Sequence, residues 1–531
     1  MTSPAPVIGI DLGTTYSAVA HVDSDSQVRV IPNAEGRLLT ASAVYFDPDG
    51  SVVVGDAAKV RDATDPDRTV IGIKRWMGKD HVRWIDDQEY RPEAISAVIL
   101  RSLVVSAAAD LGCSPDAFSA VITVPAYFGV AEREATAAAA RIAGIRCLDL
   151  VAEPVAAALS FGVRTGVQGS VLVYDLGGGT FDATVVALGP SGPVVASVDG
   201  STELGGLNFD ERLVGLVSVS FAHVSGADVV DDEAVESAVW SGVEDLKRSL
   251  SRADRAVLTV DVPGQRTRVS VTREQFEKEC ADLLALSLDI TDRAIAAAGR
   301  GVPRPAVAVL VGGSTRMPMV AEALGRRFGL PVRVDEPDLA VAKGAAIHAA
   351  ALADVLPRLG PGPSASGAPP TAALRLAGAK AVATVLPRAL GIKLHDSADP
   401  SGERVLVHHI IGANTPLPVE GATFTCATVL NDQDRIRIEL MEQAGAVASP
   451  ELVHHRRVLD GEITGVPAGL RAGSPIEITL EVSLAGQITC IATEPRSGKR
   501  LELTSYMDGV ADGTEEAAQR SRVNRLVLRE N

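Results

Sequence analysis

The chain has 531 residues, which is enough for two or more domains with cores of their own. Apolar residues make up 46% and charged residues 22% of the sequence, a balance typical of globular proteins. The net charge of −17 argues against nonspecific binding to nucleic acid.

The cysteines and the N-terminus exclude further classes of protein. The five cysteines are scattered without a CxxC pair, so the sequence indicates neither a zinc site nor a disulfide framework. Residues 1–6 carry no basic or apolar targeting region, and no apolar run is expected to reach membrane-spanning length. We therefore expect a cytoplasmic protein with no nucleic-acid or membrane partner.

A glycine turn near the N-terminus separates two apolar stretches. A predicted strand over residues 8–10 leads into Asp11, Leu12 and Gly13, and a second strand follows Thr14 and Thr15. Further along, Lys74 is a lone lysine in a predicted loop, where lysine is usually solvated. The apolar spacing then predicts a helix over Glu93–Leu111.

The next stretch alternates strand and helix. Ala120–Phe128 is predicted to be a buried strand stopped by Pro125, and Glu132–Ala143 is an alanine-rich helix. Another helix begins at Glu153, with proline in its first turn. The carboxylate of Glu153 either caps that helix or belongs to a site.

The same Asp-Leu-Gly pattern returns near the middle of the chain. A strand over Val171–Tyr174 leads into Gly177, Gly178 and Gly179, and the returning strand covers Thr180–Ala187. Such a bare backbone can approach a phosphate closely, and the flanking Asp175 and Asp182 suit Mg²⁺ held through water. A plain glycine hairpin is the alternative for either copy alone. The matched pair predicts a duplicated fold with a nucleotide between its halves.

Three further segments follow the central hairpin. Leu204–Asp210 is a glycine turn that leads into a helix. Four polar residues then share one helical face, which is either a solvated ion-paired face or a surface for a base and a ribose. These residues are Glu244, Lys247, Arg248 and Ser251. A strand over Val307–Val311 runs into the glycine turn that begins at Gly312, and a helix is predicted over Leu339–Leu352.

The amino-acid composition and the predicted secondary structure change after residue 355. Proline, glycine and serine dominate residues 356–380, which we interpret as a linker. Short alternating strands over residues 381–506 predict an antiparallel sandwich, and a short helix over Thr514–Leu528 lies in the predicted tail 507–531.

These motifs, in this order, resemble the 70-kDa heat-shock protein (DnaK-type) chaperone family over nearly the whole chain. The resemblance implies an α/β fold: a two-lobed, actin- and hexokinase-like ATPase domain over residues 1–355, followed by a peptide-binding antiparallel β-sandwich and a helical lid. Its implied cofactors are ATP or ADP, Mg²⁺ and K⁺. Its implied partners are unfolded or extended peptides and a nucleotide-exchange factor.

Site roles carry over from the family at matching positions. The residues implied in hydrolysis are Lys74, Glu153, Asp175, Thr180 and Asp182. The carboxylates implied for hydrated Mg²⁺ are Asp11, Glu153 and Asp175. The phosphate turns match Asp11, Gly13, Thr14, Thr15, Tyr16, Gly177, Gly178, Gly179, Thr180, Gly205 and Gly206. The adenosine walls match Glu244, Lys247, Arg248, Ser251, Gly312, Gly313, Ser314, Arg316 and Asp338.

The resemblance also implies a relay and a peptide pocket. Pro125 and Arg133 match the relay between nucleotide and sandwich. The pocket positions, where core packing is the competing interpretation, are Ile392, Phe424, Ile436, Ile438 and Ile476.

The chain departs from the family pattern in four places. The linker is long and rich in proline, the loop Lys393–Pro400 is longer and more polar, and the lid is nearly absent. Where the family has an arginine that receives the J-domain of a co-chaperone, this chain has Asp149, with Ala152 at a neighbouring asparagine position. We therefore expect a weak response, or none, to an ordinary J-domain protein.

Three functions remain open at this point. The first is an ATPase that binds and releases unfolded peptide segments. The second is an ATP-switched regulatory or scaffold protein without general chaperone activity. The third, a small-molecule kinase of the same superfamily, leaves the appended sandwich without a role.

Overall fold

A computed structural model describes most of the chain. The described residues are 6–189, 192–226, 229, 233–262, 265–299, 302–334, 336–355, 385–396, 398–399, 403–444, 449–466, 469–483, 486–504 and 513–529. The predicted linker at 356–380 lies outside them, as do residues 507–512 of the predicted tail.

The first lobe is built on a mixed sheet that contains the predicted N-terminal hairpin. Val7–Asp11 pairs antiparallel with Tyr16–Val22 and parallel with Ser119–Val124, so the hairpin prediction is confirmed. The sheet order is Arg146–Ala152, Ser119–Val124, Val7–Asp11, Tyr16–Val22 and Val28–Ile31, with Thr40–Ala41 paired to Tyr16–Val22. The predicted strand at 120–128 ends at Val124, because the proline at 125 has no N–H to continue the ladder.

Two smaller sheets and further helices complete this lobe. The helices are Asp56–Arg61, Pro92–Leu111 and Val130–Ala143. The small strands are Ala43–Phe46, Ser51–Val54, Thr69–Ile71, Arg83–Ile85 and Gln88–Tyr90. The expectation that no run reaches membrane-spanning length was wrong, since Pro92–Leu111 is long and apolar enough by length and composition. Most of that helix is buried in the lobe, where its apolar side chains form the core.

The second lobe repeats the plan around the central hairpin. Gly169–Leu176 pairs antiparallel with Phe181–Gly189 and parallel with Ala308–Val311. The sheet order is Gly192–Ser201, Phe181–Gly189, Gly169–Leu176, Ala308–Val311 and Val332–Val334. A separate hairpin joins Arg255–Val262 to Gln265–Thr272. The helices that follow the first lobe are Glu153–Thr165, Gly206–Ser225, Glu233–Leu250, Arg273–Glu279, Ala281–Ala297, Pro318–Phe328 and Ala340–Val355.

Two helices cross closely between the sheets and bring the halves together. A side chain at Gly344 would clash with the backbone of Ala156, and one at Gly9 would clash with the backbone of Ala346. Glycine at these positions therefore lets Ala340–Val355 pack against both Glu153–Thr165 and the first strand. This packing places the two Asp-Leu-Gly turns at the same cleft.

The predicted antiparallel sandwich is confirmed. One sheet has the order Val405–Ile411, Leu390–His395, Arg435–Gln443 and His455–Thr464, and the other has Val419–Ala427, Pro475–Val482, Ile488–Glu494 and Lys499–Thr504. Val385–Leu386 pairs with Thr415–Pro416 beside them. The two sheets share one core, in which Leu440 and Ile478 are fully buried.

Residues 513–529, which we call the C-terminal segment, pack on the first lobe. The helix Gly513–Arg525 ends earlier than predicted, and Val527–Leu528 instead adds a parallel strand to Ser51–Val54. Val523 is fully buried in the core of the first lobe. Arg141 pairs with Glu516 at 2.9 Å, and Arg91 pairs with Glu515. In this structure the segment is therefore part of the first lobe's packing.

Candidate functional site

The two Asp-Leu-Gly turns face each other across the cleft. A side chain at Gly178 would clash with Thr15 Oγ1, and one at Gly179 would come within 2.8 Å of Thr14 Cγ2. The turn at Gly205 packs directly on Gly179 from the other side. The predicted phosphate turns are thus gathered into one small region, and backbone N–H groups of such turns are a common environment for an anion.

Buried carboxylates lie beneath these turns. Asp175 and Asp182 are cross-strand partners in the central hairpin, whose turn is closed by Gly177 N–H donating to Thr180 O at 3.0 Å. Asp182 Oδ1 accepts a hydrogen bond of 3.0 Å from the Tyr127 N–H. Asp11 Oδ1 accepts one of 3.1 Å from Thr123 Oγ1.

The carboxylates perturb one another strongly. Burial, followed by the charge of Glu153, raises the pKa of Asp11 to about 7 and that of Asp182 to about 7. The same two causes raise the pKa of Asp175 well above its ordinary value. The charge of Lys74 acts against all three shifts. The cluster thus favours a cation that would compensate its negative charge.

Lys74 and Glu153 form a buried ion pair at the edge of this cluster. Lys74 Nζ lies 2.5 Å from Glu153 Oε1, and both side chains are less than a tenth exposed. The 3₁₀ helix Ile73–Trp76 positions the lysine, and the start of the helix Glu153–Thr165 positions the glutamate. Lys74 is therefore not a solvated surface residue. Glu153 begins its helix and also forms this buried ion pair.

The donor set fits a hydrated magnesium ion. Among the residues that the structure describes, no group of three or more His, Cys, Asp or Glu side chains is placed to hold a metal ion directly. Glu153 nonetheless raises the pKa of both Asp11 and Asp175, so the three carboxylates share one electrostatic environment. Carboxylate oxygens acting through water are a normal way to hold Mg²⁺.

One wall of the cleft is made by the helix Glu233–Leu250. The Arg248 guanidinium lies 5.1 Å from the centre of the Tyr16 ring and pairs with Glu244 at 2.6 Å. Lys59, which the sequence interpretation missed, pairs with Glu244 and reaches the Tyr16 hydroxyl at 3.3 Å. Lys59 comes from the first lobe and Glu244 from the second, so this pair bridges the cleft.

The other two residues predicted on that helical face are engaged within the second lobe. Lys247 is buried, and its Nζ donates to Gly206 O at 3.0 Å and to Asp210 Oδ2 at 2.8 Å. Ser251 Oγ donates to the Lys247 carbonyl at 3.1 Å. In this structure Lys247 therefore braces the turn at Gly206.

The opposite wall reaches the central turn as well. Ser314 Oγ donates to Gly177 O at 3.0 Å. Gly312 has a φ of 83°, which a side chain rarely allows, and a Cβ there would meet the Leu176 carbonyl. Arg316 Nε donates to Asp338 Oδ2 at 3.1 Å, and Gly313 lies beside the same carboxylate. These residues line one side of the gathered turns.

Of the two predicted relay residues, Arg133 lies where the first lobe meets the sandwich. Pro125 ends the strand Ser119–Val124. Arg133 is in the helix Val130–Ala143, its Nε donates to Phe128 O at 3.4 Å, and burial lowers its pKa. A Cβ at Gly486 of the sandwich would lie 3.7 Å from Arg133 Cδ.

The predicted peptide pocket divides into two groups. Four of its members are buried in the sandwich core, namely Ile392, Ile436, Ile438 and Ile476. Phe424 is only half-buried and stacks on His408 with ring centres 4.2 Å apart. In this structure core packing accounts for the four isoleucines, while Phe424 presents a face to the surface.

Comparisons with known proteins agree with this geometry. A family model described as "Hsp70 protein" matches residues 7–358. The chain is 35% identical over 507 residues to "Chaperone protein DnaK" of Thermotoga neapolitana, Thermotoga petrophila and Thermotoga maritima. Each alignment covers 93% of this chain and 79% of the relative.

Proposed function

This chain belongs to the Hsp70 protein family, and we propose that it hydrolyses ATP to ADP in order to control the binding and release of unfolded peptide segments. The observation that carries the proposal is the meeting of two glycine turns above a buried carboxylate cluster with the Lys74–Glu153 pair at its edge. Backbone N–H groups bind phosphate oxygens at such turns, and the buried charges act on the group that is transferred.

Each group of site residues has its own role in the proposed hydrolysis. Asp11, Glu153 and Asp175 would hold a hydrated Mg²⁺, which supplies positive charge to phosphate oxygens when it is bound. Asp182 and Thr180 order the attacking water. Lys74 stabilises the negative charge that develops in the transition state, because its ammonium group is preorganised and buried.

Arg248 provides the adenine side of the proposed site, and it lies next to Tyr16 at the end of the first phosphate turn. The guanidinium plane, held by Glu244, is able to stack on a base from the second lobe, while Lys59 links that wall to the first lobe. An ADP molecule leaves once this side of the cleft opens. A nucleotide-exchange factor would act by separating the Lys59–Glu244 pair.

A second candidate is an ATP-switched regulatory or scaffold protein without general chaperone activity. The position of the C-terminal segment favours it, because a segment packed in the first lobe does not cover a peptide on the sandwich. The burial of four of the five predicted pocket residues favours it as well. Both candidates would function in the cytoplasm.

One experiment separates the candidates. ATP turnover is measured with and without an extended apolar peptide, and binding of the same labelled peptide is followed by fluorescence anisotropy. Peptide binding together with stimulated turnover supports the chaperone proposal. Turnover without peptide binding supports the scaffold, and no turnover contradicts both.

A further inference from the structure

A buried ionic cluster joins the first lobe to the sandwich. Arg456 Nη2 lies 2.6 Å from Glu132 Oε2 and 2.5 Å from Glu442 Oε2. Arg388 Nη1 lies 3.6 Å from Glu132 Oε1 and 3.5 Å from Glu442 Oε2. Glu132 belongs to the first lobe and the other three residues belong to the sandwich, so two acids and two bases compensate each other across the contact.

The cluster is strongly coupled. Burial acts to raise the pKa of Glu132, but the charges of Arg388 and Arg456 overcome it and lower the pKa to about 2. Glu442 and Arg388 are almost fully buried, whereas Arg456 is a quarter exposed. Separating the sandwich from the lobe would leave these charges without their partners, which is costly for buried groups.

Arg388 also contacts an aromatic ring of the first lobe, and among the described residues no such contact is found for Arg456. The Arg388 guanidinium lies 4.6 Å from the centre of the Tyr127 ring. The Tyr127 N–H is the donor, at 3.0 Å, to Asp182 Oδ1 in the carboxylate cluster. A Cβ at Gly200 would lie 2.7 Å from Asp182 Oδ1 and 3.0 Å from Tyr127 Cβ, so both residues pack closely against this glycine. Two contacts therefore connect a sandwich arginine to a carboxylate of the nucleotide site.

We propose that Arg388 is a positioning residue for ATP hydrolysis, which acts by holding Tyr127 so that its N–H fixes the orientation of Asp182. This inference rests on the proposed function, in which Asp182 helps to order the attacking water. The sandwich thus contributes to the ATPase centre by a specific stacking contact, in addition to docking through charge.

The physical basis is the sensitivity of hydrolysis to geometry. A cation over an aromatic ring is most effective where both are desolvated, as Arg388 and Tyr127 are. A small misplacement of a group that orients the nucleophile lowers the rate without weakening ground-state binding. We expect Arg388→Ala to lower kcat about five- to tenfold while KM for ATP changes less than about twofold.

Arg456→Ala is the matched control. It removes a guanidinium from the same two carboxylates but leaves the stack on Tyr127, so we expect kcat to stay within about twofold of the parent. Arg388→Lys, which keeps the charge, should recover part of the lost rate. Tyr127→Leu should lower kcat as Arg388→Ala does, and the double variant should lose little more than either single variant.

Hydrogen exchange gives a second readout that does not require turnover. The Tyr127 amide should exchange faster in Arg388→Ala than in the parent, and in Arg456→Ala it should remain protected. Equal losses of kcat in Arg388→Ala and Arg456→Ala, or an unchanged Tyr127 amide in Arg388→Ala, would overturn the proposal. A parent that hydrolyses no ATP contradicts the proposed function instead, while the exchange measurement still decides whether Arg388 holds Tyr127.

Discussion

Lys74 Nζ and Glu153 Oε1 meet at 2.5 Å, although 79 residues separate them in the chain. Lys74 is held on a short 3₁₀ turn of the first lobe, and Glu153 begins a helix that packs between the two sheets. Because both side chains are buried, each charge depends on the other. Changing either residue should therefore affect folding stability as well as chemistry.

We expect Lys74→Ala to lower kcat for ATP by about 100-fold or more while nucleotide affinity is largely retained. In the proposed site, backbone N–H groups of two turns would share the ground-state phosphates, whereas a single buried cation would act mainly on the transition state. Single-turnover hydrolysis and nucleotide binding, measured side by side, check this. Hydrolysis at the parent rate would remove Lys74 from its assigned role.

A matched variant separates chemistry from stability in that experiment. Lys74→Ala leaves Glu153 buried without its partner, so the variant should unfold at a lower denaturant concentration than the parent. Lys74→Ala/Glu153→Gln should recover much of that stability, because no uncompensated charge remains, and it should stay inactive.

We expect Arg248→Ala to weaken adenine nucleotides about tenfold while kcat at saturating ATP stays near the parent value. The reason is that the proposed stacking on the base would be the same in the ground and transition states. Arg252→Ala, at an exposed position two residues beyond the end of that helix, serves as a control for loss of charge. A variant with unchanged affinity and a lower kcat is incompatible with the stacking assignment.

The two hairpins could be predicted because their information is local. Each Asp-Leu-Gly turn follows an apolar strand, and only glycine allows the close approach seen between Gly178 and Thr15. The order of motifs then identified the two-lobed fold and the sandwich. These features depend on short stretches of sequence, which a single chain displays directly.

The rest depends on pairs of residues that are distant in the chain. Lys59 carries no motif, and its role follows only from Glu244, which lies 185 positions away. Nothing in the pattern of Val523 and Val527 shows that the first is buried in another domain and the second is exposed. Ile436 is apolar whether it lines a pocket or fills a core, so residue type did not decide between the two interpretations.

Glu93 should make folding stability depend on pH. Its carboxylate is buried, its oxygens have no hydrogen-bond partner among the described residues, and burial raises its pKa from 4.5 to about 7. Between these values the folded state holds a proton that the unfolded state has released, so the contribution of Glu93 to stability is greatest below pH 4.5 and is lost as the pH rises to about 7. The expected loss is about 3 kcal/mol.

Glu93→Gln should remove this dependence, because glutamine stays neutral at every pH. The stability of the variant relative to the parent should increase by about 3 kcal/mol between pH 4 and pH 8. Denaturant unfolding of both proteins across this range is the measurement. Parallel stability profiles for the two would show that folding does not raise the pKa of Glu93.

Val523→Ala should lower the free energy of unfolding of the first lobe by about 1–2 kcal/mol, because it leaves a small cavity in that lobe's core. The control is Val527→Ala, two residues beyond the helix end, where the side chain is 64% exposed and the expected change is within about 0.5 kcal/mol. Denaturant unfolding with saturating ADP provides the comparison. Equal effects of the two substitutions would mean that the C-terminal segment is not packed in the lobe in solution.

The response to a J-domain protein should be decided by charge at Asp149. This carboxylate is about a third exposed, Oδ2 lies 2.8 Å from His348 Nε2, and Oδ1 accepts from the Leu150 N–H at 2.8 Å. Buried His348 thus holds in place an acidic group where the family resemblance implies an arginine. An acidic partner residue would then meet repulsion of about 1 kcal/mol in water, and more where the contact is desolvated.

We therefore expect an ordinary J-domain protein to stimulate ATP turnover of the parent poorly or not at all. Asp149→Arg should partly restore stimulation, since it supplies charge-assisted hydrogen bonds to the acidic partner. Asp149→Asn is the matched control, because it removes the negative charge while its amide oxygen still accepts from the Leu150 N–H and its NH2 group faces His348 Nε2, and it should fall between the two. Turnover is measured for all three proteins over a range of J-domain concentrations and at two salt concentrations, because attraction between charges weakens with salt. Strong stimulation of the parent would mean that the J-domain docks on another surface. Equal stimulation of Asp149→Arg and Asp149→Asn would mean that residue 149 affects docking only through the repulsion that Asp149 causes.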